Sequence, residues 1–284
     1  MGASVRLLEA ETPVEVLVGN ALAKGARRLR RAVLMVEKGE DDAIHQVRVS
    51  CRRLRSNLKL FKGFLAGEWP ADLRSELSAL ANACGEARDL EVIADLVKET
   101  ANSEDRPEHV EQIVQTLTAG LELAAARSAE VVASERTTSL IRALETAAAA
   151  PGLKRKAAKP CGEVLPDLLD SAVRVFAGEA DKLQPWTQDD DWHEVRLLAK
   201  RMRYAADTCA TVLGDEAKAT AVQAAKYQEL LGQHQDQCAA ADALTGLVAT
   251  AEPELAFTLG RLVERHRAAR KPLREEFLGL YHRS

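Results

Sequence analysis

An all-α fold is predicted from three observations on the 284-residue chain. Apolar residues recur every three to four positions over long stretches, and Pro and Gly fall between those stretches. Aromatic residues make up only 4%, against many Ala, Leu, Arg and Glu, which favours helix over strand. One motif occurs twice, with its His residues 148 positions apart (His45 to His193), so the chain is a tandem of two similar units. The 46% hydrophobic content supplies a sizeable core, and with 29% charged residues it excludes disorder, collagen and a membrane span.

Eight helices follow in order. The first, 13–38, opens at Pro13 and stops before Gly39. The second, 42–66, follows Glu40, Asp41 and Asp42, acids that cap and complement a helix N-terminus, and stops before Gly67. The third, 70–100, opens on Pro70, and the fourth, 107–148, on Pro107. The stretch PGLKRKAAKP, residues 151–160, carries two prolines and four bases and reads as the link between halves. The fifth, 163–183, is followed by 190–213, which Asp189, Asp190 and Asp191 introduce and Gly214 ends. The last two are 215–250 and 253–282, the latter opening on Pro253. The domains are then 1–150 and 151–284, each a four-helix unit.

Residues 45–55 read HQVRVSCRRLR and residues 193–203 read HEVRLLAKRMR, both of the form H-x-V-R-x-x-x-[RK]-R-x-R. A second landmark follows each copy: Gly85 and Asp89 are answered 147 positions on by Gly232 and Asp236. At 100° per residue, Val47, Cys51, Leu54, Leu58, Phe61 and Leu65 form an apolar stripe that buries the helix. Beside it Arg48, Arg52, Arg55, Lys59 and Lys62 fall on one side with His45 at their head, spanning ~21 Å of axis. No Asp or Glu occurs from Ala43 to Gly67 to neutralise these cations along their own helix. The second copy offers His193, Arg196, Lys200 and Arg203, with Asp207 standing where the first has Lys59.

Two explanations compete for these stripes. Their long side chains could snorkel over the core and pair with acids on neighbouring helices. Alternatively, they hold an anion, and the retained spacing in two copies favours this reading, because a solvated surface has no reason to repeat. Arg suits phosphate through its planar fork, and Lys supplies a point charge. The His residues serve as neutral donors to phosphate or as ring hydrogen bonds that pack the helices, and Asp89 and Asp236 as groups that orient an Arg. Lys24, Arg27 and Arg31 on the first helix, and Arg53, Arg201 and Tyr204 off the main stripe, are secondary candidates. On the last helix Arg261, Arg265, Arg267 and Arg270 point in several directions, which suggests solvation.

The formal net charge is −4, so a polyanion site must be a local concentration of base rather than a coated surface. The five cysteines, Cys51, Cys84, Cys161, Cys209 and Cys238, lack zinc spacing and read as small buried hydrophobes in a reducing compartment. No metal and no cofactor is expected. The N-terminus has no basic-then-apolar leader, Arg6 stands where a myristoylation signal wants Ser or Thr, and no apolar run approaches ~18 residues. A cytoplasmic protein without membrane attachment is expected.

At HQVRVSCRRLR, HEVRLLAKRMRY, ACGEARDLEV and LLGQHQD the chain resembles the CHAD family, the conserved histidine α-helical domain. The resemblance implies two four-helix bundles related by a pseudo-twofold axis. It implies that the two His/Arg helices line a basic central groove or pore that binds inorganic polyphosphate without turnover, and an association with polyphosphate granules. No ExExK signature of the triphosphatase domain often fused to this family is present. Single-stranded nucleic acid or a general polyanion is the alternative ligand, against which stand the few aromatics for stacking. A polyphosphate hydrolase would need a metal-binding carboxylate set or an activated nucleophile, and the sequence around the stripe offers neither.

Overall fold

The computed structural model describes residues 8–283; Arg6, used above in the leader reading, lies outside the described residues. The elements are α1 (Val14–Glu37), α2 (Ala43–Leu60), α3 (Trp69–Ala83), α4 (Gly85–Thr100), α5 (Pro107–Val132), α6 (Glu135–Ala149), a 3-10 turn (Arg155–Ala158), α7 (Cys161–Ala180), α8 (Asp189–Leu213), α9 (Asp215–Val248) and α10 (Pro253–Tyr281). Beyond these, the described residues hold only isolated bridges, Pro13 with Pro160 and Leu65 with Leu153. The fold is all-α as expected, but two of the expected helices are each divided.

The helix expected over 70–100 breaks at Cys84. At the break Ser128 Oγ donates to Ala83 O at 3.0 Å, in the last turn of α3, and Arg48 Nη1 donates to Gly85 O, the first carbonyl of α4, at 2.6 Å. The helix expected over 107–148 breaks before Ser134, whose hydroxyl accepts from the Thr137 N–H, while Thr137 Oγ1 donates to Val131 O. Periodicity could flag neither break, because neither contains Pro and the apolar pattern continues through both.

The chain packs as two compact units that interleave in sequence. The first takes residues up to Gly85, Ala125–Arg174 and Arg201–Val222; the second takes Glu86–Ala124, Val175–Lys200 and Gln223–Ser284. Each packing unit therefore draws on both sequence repeats.

In the first unit the core is built by Leu22 and Leu29 of α1, Cys51, Leu54 and Leu58 of α2, Leu77 of α3, Leu144 of α6, Leu165 of α7 and Cys209 of α8. Helix α1 passes so close to α2 that a Cβ on Gly25 would lie 2.3 Å from Leu54 Cδ2. Residues 151–160 are anchored within this unit. Ala66 N–H donates to Gly152 O, Lys154 N–H to Phe64 O and Val14 N–H to Lys159 O, and the 3-10 turn buries Ala157. In the second unit Ile93, Val97, Ile113, Leu117, Leu244 and Leu262 form an aliphatic core. There Phe176 stacks on Tyr227, and Trp192 and Tyr227 each meet Phe277 edge-on.

All five cysteines are buried free thiols. Burial pushes Cys51 and Cys209 up to about 12, so they act as small hydrophobes and not as nucleophiles. No helix among the described residues is long and apolar enough to cross a membrane.

Candidate anion-binding site

Helix α2 carries the first motif. Its N-cap, Asp42, adopts a left-handed conformation (φ 60°), and its carboxylate receives the Gln46 amide at 2.7 Å instead of capping a backbone N–H. Asp42 therefore acts through a side-chain pair and not through the backbone cap expected for it. Val47, Cys51, Leu54 and Leu58 are buried as the apolar stripe requires.

The five stripe cations separate into two groups. Arg48 is turned toward the α3–α4 break and bonds its carbonyls. Arg52, Arg55, Lys59 and Lys62 stay together and are joined by Arg74 of α3 and Arg201 of α8, all within the first unit. Burial lowers the pKa of Arg55, and the charges of Arg74, Arg52 and Arg201 lower it further against a small opposing effect from Cys51. Lys59 is lowered first by burial, then by Arg201, Arg74 and Lys62. Burial and the neighbouring cations thus push Arg55 and Lys59 toward the neutral form. Among the described residues no acid forms an ion pair with any of the six. Nε of Arg74 is buried and has no hydrogen-bond partner. His45 lies half-buried in the first turn of α2.

Arg74 was not legible as a member. In the sequence it is flanked by Asp72 and Glu76 and reads as part of an ordinary mixed-charge surface. In the fold Glu76 is taken by Arg136, whose Nε and Nη2 donate to its two oxygens at 2.6 and 2.9 Å.

The second motif is arranged differently. His193, Arg196 and Lys200 belong to the second unit, whereas Arg203 belongs to the first. His193 donates from Nδ1 to Gln235 Oε1, a bond that packs α8 against α9. Arg196 and Lys200 surround Asp236, and Lys200 is only 7% exposed. The Asp236 carboxyl is pushed up mainly by burial, opposed by Arg196, Lys200 and Arg88, with Asp89 adding a further upward push. Arg196 and Lys200 thus meet a carboxylate, whereas Arg52, Arg55 and Lys59 form no ion pair with an acid among the described residues.

The secondary candidates divide as well. Arg201 joins the six-cation cluster. Lys24, Arg53 and Tyr204 line a cavity on another side of α2, together with Arg203, and Arg53 lies over the Tyr204 ring at 5.6 Å. Arg27 and Arg31 are exposed on α1 and line neither.

The arginines of α10, expected to be solvated, are for the most part paired. Arg261 and Arg265 bind Glu104 and the buried Asp105, and Arg270, with the overlooked Arg274, clasps Asp189. Only Arg267 fits the expectation, in an exposed pair with Glu264. The pattern failed because the acids lie in loops and at the start of α8, far away in sequence.

Asp189, His234 and Cys238 place potential metal-ligand atoms within 4.8 Å of one another. These atoms already have other uses. Two guanidiniums hold the Asp189 carboxylate, and Arg274 Nε donates to His234 Nε2 at 2.9 Å. A cation added there would face both arginines, so the group is an internal polar network.

Comparison with known proteins follows from this geometry. The model of the family described as CHAD domain matches residues 20–245. Two uncharacterized proteins of Mycobacterium tuberculosis, from strains CDC 1551 and H37Rv, are each 30% identical over 256 residues, 83% of this chain. The chain spans about half (46%) of the length of these curated relatives. PptA from Streptomyces chartreusis and the CHAD domain from the plant Ricinus communis both superpose with a TM-score of 0.81 at 21% identity. The two superpositions cover 95% and 99% of this chain and 100% and 96% of the respective neighbours, a likeness of fold.

Proposed function

The chain belongs to the CHAD domain family, and on that premise we propose that it binds inorganic polyphosphate, without turnover, along the cation cluster of its first unit. Polyphosphate binding is associated with this family in general. The observation that carries the reading for this chain is the group Arg52, Arg55, Lys59, Lys62, Arg74 and Arg201, like charges gathered together, none of them in an ion pair with a carboxylate among the described residues.

Such a cluster carries a standing electrostatic cost, which an anion removes. Polyphosphate has about one negative charge per phosphate and is thin, so successive phosphates can follow Arg52, Arg55 and Lys59 of α2 and Lys62 just beyond its end, while Arg74 and Arg201 flank them. Binding replaces condensed counterions on the polymer, and that release supplies the driving force. Turnover would need a nucleophile with its base, or carboxylates to place a metal, and the cations of the cluster supply only binding and charge neutralisation. The net charge of −4 sets the rest of the surface against bulky polyanions.

The test is titration calorimetry with long-chain polyphosphate on the triple variant Arg52→Ala, Arg55→Ala and Lys59→Ala. Its control is a charge-matched triple at exposed positions, Arg142→Ala, Arg267→Ala and Lys271→Ala. The reading predicts at least a 100-fold loss for the first and less than a threefold change for the second, since each charged contact is worth about tenfold. Equal losses would move the site elsewhere, and steady release of orthophosphate by the wild type would replace binding by hydrolysis.

A further inference from the structure

The first unit contains a cavity of about 540 Å³ that the cation cluster does not use. It is bounded by Leu17, Asn20, Lys24 and Arg28 of α1, by Ser50, Arg53 and Asn57 of α2, and by Arg203, Tyr204 and Asp207 of α8, among others. On α2 these positions lie about half a helical turn around from Arg52, Arg55 and Lys59, with the buried face between them. The two features therefore occupy separate flanks of one helix.

Its lining has three components that belong together only around one kind of ligand. Three cations, Lys24, Arg28 and Arg53, face a single carboxylate, Asp207, and Arg203, which is engaged in an interaction of its own, completes the charged lining. Two lining residues leave a buried donor without a hydrogen-bond partner, Asn20 at Nδ2 and Arg53 at Nε. The remainder is apolar or uncharged: Leu17, Ala21 and Gly25 of α1, the Tyr204 ring beneath Arg53, and the carboxamide of Asn57, whose Oδ1 accepts from Thr208 Oγ1 at 3.1 Å. Burial, and then the charge of Arg53, depress Arg28, while Asp207 opposes them, so one acid does not balance the group.

The excess positive charge and the unpaired buried donors call for an oxyanion. The apolar wall and carboxamides would be idle around a bare inorganic phosphate, and they suit a ring or chain attached to it. The volume lies within the roughly 300–1,000 Å³ typical of small-molecule pockets. We propose that this cavity is a second site, separate from the polyphosphate cluster, that takes a small organic phosphate of mononucleotide size. The phosphate sits between Arg28 and Arg53, and the organic part lies against α1 within reach of Asn20 and Asn57.

Calorimetry with ADP, AMP and inorganic triphosphate on the full chain tests this. ADP should bind the wild type, Arg28→Gln should weaken it at least tenfold, and Asp207→Asn should tighten it severalfold by removing the one repelling carboxylate. Tightening cannot arise from misfolding, so the second variant protects the test against an unstable first one. The Arg52→Ala, Arg55→Ala, Lys59→Ala triple should leave ADP affinity within twofold, which separates this site from the polyphosphate reading. Failure of both nucleotides to bind at millimolar concentration would overturn the proposal. Binding of triphosphate alone would overturn the organic class, and equal loss in the triple variant would overturn the separation.

Discussion

Two arginines one helical turn apart on α2 do different work. Arg48 directs its guanidinium at Gly85 O, the first carbonyl of α4, and so ties α2 to the point where α3 gives way to α4. Arg52 adds charge to a cluster of like charges and forms no ion pair with an acid among the described residues. Arg48→Met should therefore lower stability by about 1–2 kcal/mol, the net worth of a charge-assisted hydrogen bond to a part-buried carbonyl. Arg52→Met should leave the urea midpoint unchanged or raised while weakening polyphosphate binding. Urea melts of both variants check this, and a reversed order would sink the division. The sequence shows the two residues as equivalent, because their spacing is the same and only the position of a helix break distinguishes them.

His234 makes a second prediction at this scale. Buried at 2% exposure, it accepts from Arg274 Nε, and its pKa is lowered to about 4, first by burial and then by Arg274. Arg270 and Arg196 push the same way, while Asp189 opposes them. The folded protein thus binds fewer protons than the unfolded chain between the ordinary histidine value of about 6.5 and 4. Stability from this residue is present above 6.5 and is lost as the pH falls from there towards 4, on the order of 3 kcal/mol in all. His234→Gln should flatten the pH dependence of the urea midpoint across that window. An unchanged slope would mean that the ring is not held neutral.

At the scale of elements, the register of α1 on α2 decides whether the cluster and the cavity exist side by side. That register depends on Gly25, where a Cβ would meet Leu54, itself fully buried and unable to retreat. Gly25→Ala should cost about 1–3 kcal/mol from overpacking, more than its gain in helix propensity, and thermal melts measure it directly. An unchanged or raised midpoint would show that the two helices separate freely. The helices were largely legible because Pro and Gly punctuate them and the apolar period persists. The breaks at Cys84 and before Ser134 were not: the first is held by donors from elsewhere, Arg48 and Ser128, and the second by a local serine cap in a stretch where the apolar period runs on. The same reason hid Arg74 from view and misplaced the α10 arginines. Whether a charge is free depends on where distant acids go, and Glu76, Asp105 and Asp189 each went to an arginine the sequence does not indicate.

Taken whole, the molecule carries 43 acidic against 39 basic Lys and Arg side chains, yet gathers six cations with which no acid among the described residues forms an ion pair. Such segregation opposes non-specific adsorption and concentrates attraction on a ligand thin enough to reach the cluster. Four to six phosphate contacts imply that log K falls with log salt with a slope of about −3 to −4. The most direct test is calorimetric titration of the intact protein with long-chain polyphosphate at two salt concentrations, with single-stranded RNA of matched charge as competitor. The account predicts tight binding with that slope, which RNA does not displace. Absence of binding, or displacement by RNA at equal charge, would contradict it.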